Sequence, residues 1–363
     1  MKKLSKTTRS NFITYGMVIV FYVVMQLLSG AGMLSNSLTG QLVPICVYIC
    51  MAVSLNLTVG ILGELSLGHA GFMSVGAFTG IVTAMSLQQL GLASGPIRLL
   101  LALIVGGIMA AIVGVIVGVP VLRLRGDYLA IVTLAFGEII KNIVNNLYVA
   151  FDSTGLHIKL LSVIAKEDLQ DGILIINGSI GAAGITKLST FTSGAILILF
   201  TLFVVLNLVN SRSGRAIMAI RDNRIAAESV GINITKYKLM AFVTSAALAG
   251  MAGALYAMNF TTIAAKKFDF NTSILVLVFV VLGGMGNIRG SIIAAAILTV
   301  LPEALRFLND YRMLIYAIVL ILVMLVTNNP TLKAGWERIK ERLAFWRKPA
   351  SVSASAEGGG SSE

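Results

Sequence analysis

Residues 99–119 read LLLALIVGGIMAAIVGVIVGV, an unbroken apolar run without a charged or polar side chain. A helix needs about 20 apolar residues to cross the hydrocarbon core of a lipid bilayer. With the two residues before it, this run predicts a transmembrane helix at 97–119. The segment therefore indicates a protein that folds in a lipid bilayer rather than in water.

Further apolar segments repeat this pattern along the chain. They predict nine more spans, at 11–30, 42–60, 67–87, 127–148, 191–210, 239–259, 272–286, 288–307 and 313–328. Glycines interrupt the pattern at 60–72 and 272–290, which is typical of half-helices or re-entrant turns. The predicted fold class is an all-α integral membrane protein, a polytopic bundle of about ten transmembrane helices with glycine-broken or re-entrant segments.

The composition of the chain agrees with this fold class. Of the 363 residues, 57% are hydrophobic and 12% are charged, whereas ordinary soluble domains carry about 25% charged residues. The net charge is +12, but the basic residues lie between apolar runs and form no patch interleaved with aromatic residues. The charge therefore indicates an inner-membrane protein with both termini cytoplasmic. Nucleic acid is excluded as a partner.

The order of apolar and polar segments predicts how the chain is organised. Residues 1–330 form a transmembrane domain, in which 149–190 is an external connection and 211–238 a cytoplasmic loop. Residues 331–348 place apolar side chains at helical spacing between basic ones, which predicts an amphipathic helix lying on membrane lipid. Residues 349–363 are of low complexity and are predicted to be disordered.

Small residues recur four apart in several spans, and this spacing puts them on one helix face. Such stripes let helix backbones approach closely in lipid, so they predict tight helix contacts. The predicted stripes are Gly76 with Gly80, Gly114 with Gly118, Gly286 with Gly290, and Ala246 with Gly250 and Ala254.

Polar residues inside the spans are candidates for function, because a charge at the centre of a span costs about 2.5–3.5 kcal/mol. Glu64 lies in the polar break GELSLGH at 63–69, and Glu138 precedes Lys141 by three residues. Each acid is either paired for structural reasons or part of a transport path, and the sequence leaves both readings open. The hypothesis for the translocation path or its gate comprises Glu64, Ser66, His69, Glu138, Gly283, Gly284 and Gly286.

The chain lacks the motifs of the common catalytic sites. It contains no Gly-x-x-x-x-Gly-Lys-Ser/Thr loop for phosphates, and GAAGITK at 181–187 has the wrong spacing for one. It contains no Gly-x-Ser-x-Gly or His-Glu-x-x-His pattern, and it has only two cysteines and two histidines. The sequence therefore predicts no catalytic residue, no cofactor and no metal site, and a transport protein rather than an enzyme.

The strongest local signal is the basic loop, which reads SGRAIMAIRDNRIAAESVGIN at 213–233. Small residues alternate with charged ones there, and a glycine follows where a helix would end. A short rigid helix between two spans is suited to docking on a cytoplasmic protein. The alternative is an ordinary basic loop on lipid headgroups. The candidate coupling residues are Arg215, Arg221, Arg224, Ala226, Ala227, Glu228 and Gly231.

This loop resembles the ATPase-docking loop of ABC importer permeases, whose pattern is Glu-Ala-Ala-x-x-x-Gly. Ala226, Ala227 and Gly231 match the pattern, and Ile225 replaces the glutamate, as in permeases for branched-chain amino acids. The chain is similar to the M-type subunit of that branch over roughly residues 40–330. The similar stretches are LRGDYLAIVTLAFGEII at 124–140, VLGGMG at 281–286, LPE at 301–303 and YRMLIY at 311–316.

The resemblance implies a permease that imports leucine, isoleucine or valine by alternating access. It implies a second, H-type permease, two ATP-binding subunits that hydrolyse the ATP, and an extracytoplasmic amino-acid-binding protein as partners. Three alternatives remain: an ABC permease for urea or another small solute, an ion-coupled secondary transporter, and a purely structural membrane subunit.

Overall fold

The computed structural model describes residues 6–305, except for 34, 125, 153–154 and 161–171, and a few residues after 305. Eleven helices occur within 6–305: α1 (Lys6–Gly30), α2 (Asn36–Asn56), α3 (His69–Gln89), α4 (Gly95–Val121), α5 (Asp127–Asn145), α6 (Phe191–Asn210), α7 (Arg212–Asp222), α8 (Arg224–Ser229), α9 (Ile234–Ala257), α10 (Phe270–Gly283) and α11 (Ile288–Ala304). A π-helical turn, Leu57–Leu62, extends α2.

Seven helices in the described part of the chain are long and apolar enough to cross a membrane: α1, α2 with its π-helical turn, α3, α4, α5, α6 and α9. The predicted spans at 272–286 and 288–307 correspond to α10 and α11, which have 14 and 17 residues. At about 1.5 Å per residue α10 is only about 21 Å long, shorter than the hydrocarbon core. The protein is therefore a polytopic helical membrane protein, as predicted.

Three sequence predictions concern the end of the chain. The tenth predicted span, 313–328, lies mostly outside the described residues, although 314–315, 317–318 and 320–321 are helical. The predicted amphipathic helix at 331–348 and the predicted disordered tail at 349–363 lie wholly outside them.

The centre of the bundle consists of α2, α3, α4 and α9. From residue 42 onward almost every residue of α2 and its π-helical turn is buried, whereas α1 is mostly exposed to the surroundings of the bundle. An apolar helix buried on all sides is surrounded by other helices, and one exposed on most sides faces lipid. The core of the protein is thus the neighbourhood of α2 and α9.

The predicted stripes of small residues form the contacts among α3, α4 and α9. A Cβ atom on Gly76 would lie 2.0 Å from the carbonyl oxygen of Gly250, and one on Gly80 would lie 2.7 Å from the Ala254 Cβ. A Cβ atom on Gly114 would lie 2.8 Å from the Ala246 Cβ. These three helices are close enough that only small residues fit between them, as the spacing predicts.

The stripe predicted at Gly286 and Gly290 is wrong. Gly286 precedes the first residue of α11 and has a φ of 80°, so it lies in the turn between α10 and α11 and not on a helix face. A left-handed residue cannot continue an α-helix, and the four-residue spacing is coincidental here. The glycine break that the sequence predicts in this region is the turn 284–287.

A sheet of five strands begins at the end of the predicted span 127–148 and continues within and after the predicted external connection 149–190, where no strand was predicted. Its strands are β1 (Leu147–Asp152), β2 (Gly155–Leu160), β3 (Ile173–Asn177), β4 (Ala182–Ala183) and β5 (Thr262–Ile263). All described pairs are antiparallel, in the order β2-β1-β3-β4-β5. The sequence LYVAFD of β1 continues the apolar run of α5, and apolar runs this short do not distinguish a strand from a helix.

The two ends of the bundle differ. One end carries α7 and α8, and is named the loop end; the other carries β1 to β5, and is named the sheet end. The 24-residue helix α9 connects them, because it begins just after α8 and ends just before β5. At about 1.5 Å per residue it is about 36 Å long, enough to traverse a bilayer. The two ends therefore lie on opposite sides of the membrane.

Candidate functional site

The predicted coupling loop forms two short helices, each fixed by a side-chain cap. The Ser211 hydroxyl accepts a hydrogen bond from the Gly214 N–H at the start of α7. Asn223 Oδ1 accepts one from the Ala226 N–H, 3.0 Å away, at the start of α8. Gly231, with a φ of 82°, follows α8 in a left-handed conformation that non-glycine residues rarely adopt. The sequence therefore fixes both ends of α8.

The residues of α8 divide into an inner and an outer side. Ala227 is 3% exposed and packs with Ile220 and Ile234. Ile225 and Val230 are 81% and 74% exposed. Of the small residues in the predicted docking helix, Ala227 thus anchors the helix, and Ala226 lies on the outer side with Glu228. We name Ile225, Ala226, Glu228 and Val230 the α8 face. Contiguous exposed apolar surfaces mark contacts with another protein or with a membrane.

Arg221 connects the loop to the transmembrane helices. Its Nη1 donates a hydrogen bond to the carbonyl oxygen of Gly60, 3.2 Å away, and its Nη2 lies 2.8 Å from Asp222 Oδ1. The aliphatic part of Arg221 packs against Gly63, where a Cβ atom would lie 2.6 Å from the arginine Cγ. Arg221 therefore joins α7 directly to the π-helical turn that ends α2.

The other two predicted arginines of the loop have different surroundings. Arg215 is exposed, and its Nη1 lies 3.4 Å from the carbonyl oxygen of Asn210. Arg224 is half-buried, and its Nε has no hydrogen-bond partner within the described residues. Neither of these described contacts reaches the π-helical turn at the end of α2, whereas the contact of Arg221 does.

Glu64, which the sequence places in a polar break, forms an ion pair with Lys238 of α9. The Lys238 side chain is 5% exposed and that of Glu64 is 15% exposed. The Glu64 N–H donates to the carbonyl oxygen of Thr58, 3.1 Å away, which closes the π-helical turn. π-Helical turns are rare and are frequently found at functional sites. We name the segment between α2 and α3 the first break. Arg221 of α7 and Lys238 of α9 therefore both contact the first break.

The second break, between α10 and α11, contacts the first. Asn56 is fully buried, and its Oδ1 accepts a hydrogen bond from the Gly286 N–H at 2.8 Å. Its Nδ2 donates to the Ser291 hydroxyl of α11 at 3.0 Å. A Cβ atom on Gly60 would lie 2.1 Å from the Gly286 nitrogen, so only glycine fits there. We name Asn56, Gly60, Glu64, Arg221, Lys238 and Gly286 the break network.

Gly283 and Gly284 complete the second break. A Cβ atom on Gly283 would lie 2.4 Å from the carbonyl carbon of Gly290, so the start of α11 passes directly over the end of α10. Gly284 has a φ of 89°, which ends α10. The glycines that the sequence singled out at 283, 284 and 286 therefore form one tight turn.

Ser66 and His69 lie between the first break and the bundle core. His69 is 2% exposed, and its Nε2 lies 2.8 Å from the Ser54 hydroxyl of α2. The Ser66 hydroxyl is buried and has no partner within the described residues. The Leu67 N–H between them donates to the Thr133 hydroxyl of α5. These contacts attach the start of α3 to α2 and α5.

Glu138 is separate from the break network. It forms an ion pair with Lys141 on the same helix, as their spacing of three residues indicates. The Glu138 side chain is 36% exposed and that of Lys141 is 19% exposed. Of the predicted path and gate residues, the structure thus brings Glu64 and the 283–286 glycines together at the breaks, and leaves Glu138 on α5.

Two polar residues of the break network were not among the predicted site residues. Lys238 lies in the predicted loop 211–238, but α9 already begins at Ile234 and buries that lysine. Asn56 lies in an apolar run, where an asparagine gives no sign of its partner. The signal available for Asn56 was an amide inside a predicted span, which is costly unless it is paired, and the predicted loop boundary concealed the equivalent signal at Lys238.

Comparisons with known proteins agree with this architecture. A sequence profile of the family described as branched-chain amino acid transport system / permease component matches residues 37–324. The permease protein LivM of Escherichia coli (strain K12) is 36% identical over 288 residues, covering 77% of this chain. The probable permease protein LivM of Methanocaldococcus jannaschii is 26% identical over 306 residues, 73% of this chain and 81% of that protein. The permease protein LivH of Escherichia coli (strain K12) is 25% identical over 298 residues, which cover 77% of this chain and 89% of that protein.

The chain spans 66% of the length of the LivM proteins of Escherichia coli and Salmonella typhimurium. No solved structure matches the chain. The family profile covers most of the helical bundle, including the α8 face and the break network. The chain therefore belongs to the family of branched-chain amino acid transport permease components.

Proposed function

We propose that this chain is the permease subunit of an ATP-driven ABC importer, and that it moves branched-chain amino acids across the inner membrane by alternating access. The observation that carries the proposal is the contact of Arg221 with Gly60, because it links an exposed docking surface to a helix break. ATP hydrolysis belongs to separate subunits.

The proposed orientation puts the loop end in the cytoplasm and the sheet end outside. The loop end carries Arg212, Arg215, Arg221, Arg224 and Lys236, and cytoplasmic segments of membrane proteins are enriched in such residues. With this orientation α1 begins in the cytoplasm, and the even number of predicted spans puts the C-terminus on the same side.

The proposed complex has two permeases, this chain and an H-type subunit. The α8 face would dock on one of two ATP-binding subunits, and the sheet end would receive an extracytoplasmic amino-acid-binding protein. The exposed apolar side chains of Ile225 and Val230 support the first contact, since removing such side chains from water favours association.

In the proposed mechanism, the break network transmits the movement of α8 to the transmembrane helices. When the ATP-binding subunits close, they move α8, and the packing of Ala227 with Ile220 carries α7 along. Arg221 then pulls on the carbonyl of Gly60, and Asn56 passes the shift to the second break through its hydrogen bond to Gly286. Two short irregular segments act as hinges, so that the rigid helices tilt without internal strain.

The proposal is tested by reconstituting the chain with its H-type permease, ATP-binding subunits and binding protein in proteoliposomes. Labelled leucine is expected to accumulate only with ATP on the side of the ATP-binding subunits, and an ion gradient alone is expected to give none. Accumulation driven by an ion gradient would instead indicate a secondary transporter, and ATP-driven uptake of urea without leucine would indicate a different cargo.

The coupling step predicts the effect of Arg221→Met in the same proteoliposomes. A hydrogen bond from a charged donor contributes roughly 1.5–3 kcal/mol, and ~1.4 kcal/mol corresponds to a tenfold change. Because Arg221 is partly exposed, we expect leucine uptake per ATP hydrolysed to fall about fivefold to tenfold. ATP hydrolysis itself should continue, since the α8 face is unchanged.

Arg212→Met is the matched control, because Arg212 is exposed at the start of the same helix. It removes one positive charge from the loop end without touching Gly60. Equal losses in both variants would assign the effect to the charge of the loop and contradict the role of the Arg221 contact.

A further inference from the structure

A cavity of about 330 Å³ lies at the sheet end, between the end of α9 and the start of α10. The 3-10 turn Ala265–Lys267 forms part of its wall. Its lining includes Tyr256, Phe260, Thr262, Ile263, Lys266 and Lys267. Pockets for small ligands typically have volumes of ~300–1,000 Å³, so this one has the size for a molecule as small as an amino acid.

The floor of the cavity is aromatic. Tyr256 is 4% exposed, and its ring lies 4.9 Å from the ring of Phe260. Tyr256 also packs against Phe268, with ring centroids 6.2 Å apart, which fixes its position. Aromatic rings offer a large apolar contact area, and rings that are already fixed in place lose little conformational entropy when a ligand binds. The floor is therefore suited to a branched apolar group.

The rim of the cavity is cationic and has free hydrogen-bonding capacity. Lys266 and Lys267 are exposed, and no described carboxylate forms an ion pair with either. β5, which contains Thr262 and Ile263, is the last strand of the sheet, so its outer edge has no strand partner among the described residues. Lysine ammonium groups bind carboxylates, and an unpaired strand edge supplies the carbonyl oxygens that bind an ammonium group.

We propose that this cavity binds the amino acid itself on its way into the transporter. The carboxylate binds Lys266 and Lys267, the α-ammonium group lies toward the edge of β5, and the aliphatic side chain packs on Phe260 and Tyr256. The proposal rests on the proposed function and deepens it, because it assigns the cargo a binding site on this chain. Urea has neither a carboxylate nor an aliphatic side chain, so the site discriminates against it.

The same lysines have a second possible partner, an acidic surface of the binding protein. Protein–protein contacts bury about 800 Å² on each partner, and they place charged pairs mainly at a solvated rim. The described site is instead concave and has a buried aromatic floor. These features favour a small molecule over a protein surface.

The test uses the complete reconstituted complex with increasing amounts of leucine-loaded binding protein. Two quantities are measured: leucine uptake per ATP hydrolysed at saturation, and the concentration of binding protein that gives half-maximal uptake. The variants are Lys266→Gln with Lys267→Gln, and separately Phe260→Ala. The control is Lys159→Gln, because Lys159 is exposed on β2, at the opposite edge of the same sheet.

We expect the double lysine variant to lower uptake per ATP by about fivefold, which is ~1 kcal/mol at ~1.4 kcal/mol per tenfold. The half-maximal concentration should stay unchanged, and so should both quantities in Lys159→Gln. Phe260→Ala should reduce uptake of leucine more than uptake of valine, because leucine extends further over the ring.

Two results would overturn the site. Unchanged uptake in both the lysine and Phe260 variants would show that the cavity does not bind the cargo. A raised half-maximal concentration with unchanged uptake at saturation would assign the lysines to docking of the binding protein. The unaltered complex is assayed first: if it imports no branched-chain amino acid, the proposed function fails, and this inference fails with it.

Discussion

Replacing Ile225 and Val230 together with aspartate is expected to abolish ATP-driven uptake. Both side chains are exposed on the α8 face, so the substitutions leave the packing of the chain unchanged. In the assembled complex these side chains would lie in a desolvated interface, where fully burying an isoleucine or valine side chain contributes about 1.5–3 kcal/mol. We expect the affinity for the ATP-binding subunit to fall at least ~100-fold, as measured by co-purification of the subunits and by uptake.

Ile180→Asp is the matched control for subunit association. Ile180 is also a large exposed apolar residue, 69% exposed, but it lies in the 3-10 turn Gly178–Ile180 at the sheet end. It should co-purify with the ATP-binding subunits as the unaltered chain does. If the double α8 variant also retains these subunits, the α8 face does not dock on them and the proposed coupling route is wrong.

The sequence predicts the helical part of this fold well, because long apolar runs have few alternatives in lipid. Nine of the ten predicted spans correspond to a helix among the described residues. The spacing of Gly76 and Gly80 predicts a close helix contact on that face of α3, and α9 makes this contact in the structure. Both signals are local: the length of a run and the recurrence of small residues every four positions are visible without knowing which helices are neighbours.

The sheet is the part of the fold that the sequence does not predict. Its strands are short, and β4 and β5 have two residues each. They exist because distant segments meet: Ala182 pairs with Ile263, and Ile176 pairs with Ala182. No local pattern in a two-residue strand distinguishes it from a loop, so only the packing of α9 against its neighbours brings these strands together.

The candidate site likewise has parts that the sequence predicts and parts that it does not. The α8 helix and its capping glycine are local features, and the sequence predicts them from a motif and a spacing. The break network depends on pairs distant in sequence, such as Arg221 with Gly60 and Asn56 with Gly286. Polar residues in spans indicate that partners exist, but a sequence without its tertiary contacts does not say which partner each one has.

Replacing Lys238 with methionine is expected to destabilise the folded chain by about 3 kcal/mol. The lysine is 5% exposed and its partner Glu64 is 15% exposed, so the substitution leaves a carboxylate with little water around it. Breaking a buried ion pair by removing one partner costs roughly 3–5 kcal/mol, and the residual exposure of Glu64 favours the lower value. The free energy of unfolding is measured in mixed micelles by titration with a denaturing detergent.

The double variant Lys238→Met with Glu64→Gln separates the pair from the packing around it. Removing both charges is expected to recover most of the lost stability, because a neutral amide is far easier to bury than a carboxylate. Lys236→Met, an exposed position two residues earlier on α9, should leave the unfolding midpoint unchanged. If Lys238→Met also leaves the midpoint unchanged, Glu64 must be stabilised by water or another cation, and the ion pair does not hold the first helix break against α9.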